Sequence, residues 1–417
     1  MKTNKLIYPN SMIIVHNNPY RLIDVKSGAI YPINESSEKI MRHCNNPSTL
    51  DEIARMVGFK PNSVNMQKLT DFINKLLEAN VLTHNKELSG KIFFKHAPSV
   101  PALEKIQFET TLKCNFSCKH CYNRSDSMGY EMDTNLVIDL VKKVHTMGVF
   151  KFDLTGGEFF ARDDALDILD IMVQYGMVVN IFTNAYLIND IIIDKVKSMD
   201  NIRTFYISLD DCRPGSHDEM RNKKGAFMKT VLAIKGLKAI GKQVIVNCTV
   251  TKNTLPHMPE IYNYFINELG VKCRMSPLIN IGRGENLKAI NIDEFVGNIR
   301  SIGLKPEEVE GLFENSKHDV YTTHCGIGEN MLFITASGII TPCPLLREDE
   351  FNLGNVLNDE LTDIWPSNRI LEEIRNATCD PNCQHKVKCK GGCKVRAYFD
   401  SGRFDGIDPV TCSLFIN

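Results

Sequence analysis

The eight residues CNFSCKHC, 114 to 121, place Cys114, Cys118 and Cys121 in the spacing CxxxCxxC. Closely spaced thiolates ligate zinc or iron. A closed zinc site takes four ligands, often from paired CxxC knuckles, and here His120 is the neighbouring candidate for a fourth. A four-iron cluster held by three thiolates instead leaves one iron open to a chelating small molecule. Further along, TGGE (Thr155 to Glu158) closes a strand-like run. Gly156 and Gly157 permit close backbone approach and unusual torsions, and Glu158 offers an acceptor to an ammonium group.

A second concentration of thiols follows residue 320. Of fourteen cysteines, seven lie there: Cys325, then Gly338 and Cys343 as Gly-x4-Cys, then Cys379, Cys383, Cys389 and Cys393 in CDPNC–QHKVK–CKGGC, and finally Cys412. Clustering of this kind in a reduced compartment reads as metal ligation rather than as disulfides. Cys44, Cys212, Cys248 and Cys273 are scattered and read as packed thiols.

The elements that must position these residues show a rhythm. EKIQFETTL, FKFDLTGGE, VVNIFTN, TFYISLDD, QVIVNCTV and KCRMSPLI are six strand-like runs separated by helical segments. The first of those helices is predicted to start at a Thr134 cap and run through Met147, closed by Gly148. Such alternation predicts an α/β fold of parallel βα units, open or curled into a partial barrel, with functional residues beyond the strand C-termini. CxxxCxxC and TGGE sit at such ends, as do Asn184 in IFTN, Ser208 and Asp210 in YISLD and Arg283 in LINIGRGE, while Arg221 follows in HDEMR.

The flanks differ from this core. Up to about residue 90, SMIIVHNN and YRLIDVKS read as a hairpin around Pro19, with AIYPI as a third strand. Ser37 and Thr49 are predicted caps of two helices, and Met66, Leu69, Phe72, Ile73, Leu76 and Leu77 share one face of a third. Three short strands and three helices suggest a small winged-helix domain, and residues 91–103, with Pro98 and Pro101, read as a linker. From about 310 the chain is loop-rich, with little apolar core expected, so bound metal is expected to staple it.

The net charge of −1 gives no argument for nucleic acid or an anionic membrane surface, and neither is expected as a partner. No apolar run reaches spanning length, and the N-terminus lacks a signal-peptide h-region, so the expected location is cytoplasmic.

Together, CxxxCxxC and TGGE resemble the radical S-adenosylmethionine enzymes over roughly residues 104–309, a partial (β/α)6 barrel. The resemblance implies that Cys114, Cys118 and Cys121 hold a [4Fe–4S] cluster whose open iron binds S-adenosylmethionine. Electron transfer then yields a 5′-deoxyadenosyl radical that takes hydrogen from substrate. It also implies cofactor contacts at Gly156, Gly157, Glu158, Asn184, Ser208, Asp210, Arg221 and Arg283, and an external one-electron donor such as flavodoxin or ferredoxin. Residues 310–417 resemble the SPASM extension, which binds two auxiliary clusters, for three [4Fe–4S] clusters in all. By that likeness Cys379, Cys383, Cys389 and Cys412 close the distal cluster, while Cys325, Cys343 and Cys393 hold the nearer one and leave it one ligand short. The family's central CxxC is CxxxC here, at Cys379 and Cys383.

Residues 1–90 resemble the RiPP recognition element, which binds the leader of a ribosomal precursor peptide. The whole chain then reads as a peptide maturase, with an intrapeptide thioether from a cysteine as the expected product. Carbon–carbon or carbon–oxygen cross-linking, sulfatase-maturase-like oxidation of Cys or Ser, a non-catalytic electron carrier and a DNA-binding regulator are the alternatives. A carrier needs no TGGE site. A regulator needs a basic recognition helix, whereas the third helix mixes Lys68 and Lys75 with Asp71 and Glu78.

Overall fold

The computed structural model describes residues 5–16, 20–26, 28–96, 102–303, 325–385, 389 and 391–416. Pro19, Pro98 and Pro101 lie outside these residues, as does 310–324 at the expected start of the third domain. The described residues divide into two compact units, one comprising those up to 96 together with 144–150, the other the remainder.

In the first unit, strands β1 (Tyr8–Pro9), β2 (Met12–His16), β3 (Tyr20–Asp24) and β4 (Ile30–Ile33) precede helices α1 (Glu35–His43), α2 (Leu50–Met56) and α3 (Val64–Glu78). Strands β5 (Leu82–Thr83) and β6 (Ile92–His96) follow. β2 and β3 form the expected antiparallel hairpin, and β4 extends it. Ile92–His96, expected in a linker, instead pairs in parallel with β2 and completes a sheet ordered β4-β3-β2-β6. Its partner lies some eighty residues back, so no local pattern announces the pairing. Central β2 is buried on both faces at Met12, Ile13, Ile14 and Val15. Asn34, not Ser37, caps α1, its Oδ1 accepting from Ser37 N at 2.8 Å. Thr49 caps α2 in a capping box with Glu52. The third helix buries Leu69, Ile73 and Leu76, and Met66, Phe72 and Leu77 pack at the edge of the same core.

The second unit realises all six expected strands: β7 (Lys105–Glu109), β8 (Lys151–Thr155), β9 (Val178–Thr183), β10 (Ile202–Ser208), β11 (Gln243–Val250) and β12 (Lys272–Pro277). They are parallel and adjacent in chain order. Helices α4 (Thr134–Thr146), α5 (Ala165–Gln174), α6 (Asp190–Lys197), α7 (Pro214–Arg221), α8 (Ala226–Ala239) and α9 (Met258–Asn263) connect them, and α10 (Ile292–Ser301) follows β12. This is a partial (β/α)6 barrel. Asp133 rather than Thr134 caps α4, accepting from Asn135 N through Oδ1 and from Val137 N through its carbonyl.

Beyond the barrel, β13 (Met331–Ile334) pairs in parallel with β7, and β14 (Ile339–Thr341) and β15 (Gly354–Asn355) continue antiparallel. Helices α11 (Leu361–Ser367), α12 (Arg369–Asn376), α13 (Lys394–Ser401) and α14 (Pro409–Ile416) complete the chain. The expectation of little apolar core needs correction. Ile327, Met331, Leu346, Phe351, Ile374, Val395 and Phe404 form one buried cluster, and Trp365 is wholly enclosed. These residues come one at a time from separate short elements and loops, which conceals them from any periodicity reading.

Candidate active site

The loop after β7 carries Cys114, Cys118 and Cys121. Phe116 and Cys118 are buried against Ala226 at the start of α8, with Cys114, Cys121 and Tyr186 packed around them. The TGGE turn seats on the stem of this loop: Gly157 N donates to Thr111 O at 2.7 Å and Glu158 N to Lys113 O at 2.9 Å. A Cβ on Gly157 would stand 2.2 Å from Lys113 O, and one on Gly156, at φ +146°, 2.3 Å from Thr111 O. The close approach expected of these glycines is therefore an approach to the cysteine loop itself. Arg283 grips the far side. Its backbone N donates to Cys121 O (2.9 Å), Nε to Cys118 O (2.7 Å) and Nη2 to Ser125 O (2.9 Å).

Glu158 is 1% exposed. Its Oε1 accepts from Phe160 N (3.1 Å) and Thr183 Oγ1 (2.7 Å), and its Oε2 from Asn184 N (2.7 Å). Burial raises its pKa, and these three donors oppose the rise. With two lone-pair sites per oxygen, Oε2 retains acceptor capacity. Asn184 Nδ2 donates to Asn115 Oδ1 at 2.8 Å and lies 4.0 Å from Cys114 Sγ. Phe116 N donates to that sulfur at 3.4 Å. Burial pushes the Cys114 thiol up to about 12 and Cys118 up as well, with Arg221 pulling the latter back. These buried thiols with N–H donors on sulfur fit a cationic iron cluster, whose charge would favour the thiolates.

Asp210 and Arg221, both expected as cofactor contacts, are each other's partner. Arg221 Nη2 donates to Asp210 Oδ1 at 2.8 Å, and Nε lies 2.7 Å from Oδ2. Burial would raise the Asp210 carboxyl, but the Arg221 guanidinium outweighs it, with His120 and His217 adding, and holds it at about 2. Arg221 Nη1 also reaches Cys118 Sγ at 3.9 Å. His217 Nδ1 accepts from Asp210 N at 3.2 Å, and burial keeps both His217 and His120 near 4. Ser208 ends β10, half-buried, in register with Asn247. Among the scattered cysteines, Cys44, Cys248 and Cys273 are buried and Cys212 is half-buried.

Sequence reasoning missed one group. Glu109, the last residue of β7 and fully buried, accepts from Arg347 Nη2 (2.5 Å) and Asn123 Nδ2 (3.2 Å). Asn123 Oδ1 in turn accepts from Cys121 Sγ at 2.9 Å. A chain of polar contacts thus runs from Cys121 to Arg347, four residues beyond Cys343. An acid at the C-terminal end of a strand in a βα alternation, where functional residues gather, was the available signal.

The later cysteines gather in two sets. Cys343 is buried close enough to Cys325 and Cys393 that, after burial itself, their charges raise its pKa. Cys389 is influenced by Cys379 and Cys412, and Cys412 by Cys383 and Cys379. Asp408 joins the sets: its Oδ2 accepts from Cys393 N (2.8 Å) and from Arg396 Nη2 (2.7 Å). A Cβ on Gly392, at φ +67°, would meet that oxygen at 2.5 Å, which explains the glycine in CKGGC. Among the described residues no three His, Cys, Asp or Glu side chains converge as ligands of a single ion.

Residues 108–265 match the Radical SAM superfamily and residues 325–393 the SPASM iron–sulfur cluster-binding domain. The chain thus carries a Radical SAM domain and a SPASM domain, and is an enzyme whose cofactors are S-adenosylmethionine and iron–sulfur clusters. Among its relatives, mycofactocin maturase MftC of Mycobacterium tuberculosis is 26% identical over 321 residues, spanning 73% of this chain and 81% of that one. An AdoMet-dependent heme synthase of Methanosarcina barkeri is 25% identical over 344 residues, spanning 73% and 95%. In fold, the chain is similar to Streptococcus suis SuiB bound to S-adenosylmethionine, with a TM-score of 0.64 at 15% identity over 97% of this chain and 99% of that one. SuiB has also been solved bound to the precursor peptide SuiA.

Proposed function

We propose that this enzyme acts on a ribosomally made precursor peptide and closes an intrapeptide thioether from a cysteine side chain. The carrying observation is the proximity of Cys325, Cys343 and Cys393, with Arg347, four residues beyond Cys343, at the end of the polar chain through Asn123 and Glu109 from Cys121; in our reading these three thiolates leave their cluster one ligand short. A peptide thiolate suits the missing position. Residues 1–90 serve as the leader-binding domain, 104–309 as the barrel and 310–417 as the auxiliary-cluster domain. Strand β4 is an edge of its sheet, and a leader segment can add to such an edge through main-chain hydrogen bonds. Tethering there raises the effective concentration of the core peptide at the barrel mouth. The maturase relative MftC and the fold likeness to SuiB support the same class of substrate.

The three cysteine sets accommodate three four-iron clusters. When bound, the barrel cluster and S-adenosylmethionine supply a hydrogen-atom abstractor. In our reading Gly156, Gly157, Glu158, Asn184 and Ser208 contact that cofactor, while Asp210, Arg221 and Arg283 fix the loop behind it. Joining a C–H carbon to an S–H sulfur removes two hydrogens. One leaves as an atom; the other leaves as a proton and an electron, for which the auxiliary clusters are the acceptor. The test is a search of the adjoining reading frames for a short cysteine-bearing precursor peptide, followed by its anaerobic co-expression with the enzyme; a neighbouring sulfatase in place of such a frame would sink the proposal. The product is expected to be lighter by two hydrogens, with a cysteine that resists alkylation. A product of that mass whose cysteines all still alkylate would establish a different cross-link.

A further inference from the structure

From Met220 to Pro259 the chain contains no Asp or Glu, yet it contains seven Lys and one Arg, in a protein whose net charge is −1. This segment includes α8. Arg221 is neutralised by Asp210, and Lys238 and Lys242 donate to backbone carbonyls. Lys224, Lys229 and Lys235 are exposed and have no carboxylate within their own segment. Met228 and Leu232, 56% and 62% exposed, lie among them at helical spacing. An ordinary solvated helix mixes signs, as neighbouring α6 does with Asp190, Asp194, Lys195 and Lys197.

The position of this surface matters as much as its charge. Ala226, the first residue of α8, is fully buried against Phe116 and Cys118. Lys223 and Lys229 lie 5.2 and 4.4 Å from the centre of the Tyr186 ring, which packs on the same cysteine loop. The basic, partly apolar face therefore begins within one helical turn of Cys118.

We propose that this face of α8 docks the enzyme's one-electron donor, and that the donor is an acidic flavodoxin. The proposal rests on the cofactor assignment above. A ring of lysines around an apolar centre is complementary to carboxylates around an exposed flavin edge. One electron passes from the donor's reduced flavin to the cluster at Cys114, Cys118 and Cys121, oxidising the one and reducing the other by a single electron. Charge complementarity of this kind steers encounter and weakens as salt rises.

The test uses the full-length, anaerobically reconstituted holoenzyme, its Lys224→Glu/Lys235→Glu variant and its Met228→Ser/Leu232→Ser variant. Binding of oxidised flavodoxin is measured by titration calorimetry at low and high salt. 5′-Deoxyadenosine formation is measured with reduced flavodoxin and, separately, with dithionite. We expect charge reversal to weaken flavodoxin binding about tenfold or more at low salt and to flatten its salt dependence. Flavodoxin-driven turnover should fall in step while dithionite-driven turnover is unchanged, and the apolar variant should lose affinity without losing salt dependence. An unchanged affinity overturns the proposal. So does loss of precursor-peptide affinity in place of flavodoxin affinity, or retention of a ferredoxin in preference to flavodoxin by the wild type. Failure of the wild type to cleave S-adenosylmethionine even with dithionite would instead refute the cofactor assignment.

Discussion

The barrel's cysteine loop and the C-terminal cysteine turns hold thiols by different means. Cys114, Cys118 and Cys121 sit on a loop clamped from three sides by protein: Gly156 and Gly157, Arg283, and the Phe116–Ala226 contact. Cys379 and Cys383 are half-buried on short turns, and Cys412, also half-buried, sits in α14, where its N donates to Asp408 O at 2.9 Å. The first set is positioned by the fold before any metal arrives. Among the described residues the second set shows no comparable clamp, and metal binding is expected to contribute to its folding.

That contrast can be broken or sharpened by experiment. Replacing Cys114, Cys118 and Cys121 together with Ala is expected to abolish 5′-deoxyadenosine formation and lower iron from about twelve to about eight per chain. Far-ultraviolet circular dichroism should remain that of the wild type, since the clamps persist; unfolding would show that this loop needs its metal too. Chelating all iron is expected to open residues 379–412 to limited proteolysis while the barrel resists. Equal digestion of both regions would erase the distinction. Asp210→Ala leaves Arg221 buried and unpaired, and should cost about 3–5 kcal/mol in denaturant titration. Gly157→Ala forces a Cβ onto Lys113 O and should cost about 1–3 kcal/mol. It should also slow S-adenosylmethionine cleavage, whereas an Ala at exposed Gly215, where a Cβ meets nothing, should do neither.

The smallest effect concerns pH. The fold holds His217 neutral, with its pKa lowered from 6.5 to about 4 by burial. Because the unfolded chain binds that proton more readily, His217 contributes stability above 6.5 that is lost as pH falls toward 4. His217→Asn keeps an acceptor for Asp210 N and should reduce the proton uptake on unfolding by up to one across that window. An unchanged uptake would mean that His217 is already charged in the folded state.

The chemistry was legible because it is local. CxxxCxxC, TGGE and the spaced cysteines each lie within a few residues, and the six strands announce themselves as apolar runs ending in polar residues. What stayed hidden is non-local. Ile92–His96 finds its partner at Met12–His16, and Glu109 finds Arg347 across more than two hundred residues. The role of Arg283 was hidden likewise, because a GR turn reveals nothing about which carbonyls it will grip. Asp210 and Arg221 could be placed at the site, but their mutual pairing depends on how α7 folds back over the end of β10.

The pairing of β13 with β7 carries a consequence for how this enzyme can be taken apart. β7 would otherwise be the outermost strand of the parallel sheet, presenting a row of unsatisfied main-chain groups. Instead the C-terminal domain lends it Met331–Ile334 as a neighbour. A barrel expressed without that domain is therefore left with a naked, adhesive border beside its radical-forming loop. Such a fragment should self-associate, because β7 and β13 belong to one continuous nine-stranded sheet and do not part without baring that edge.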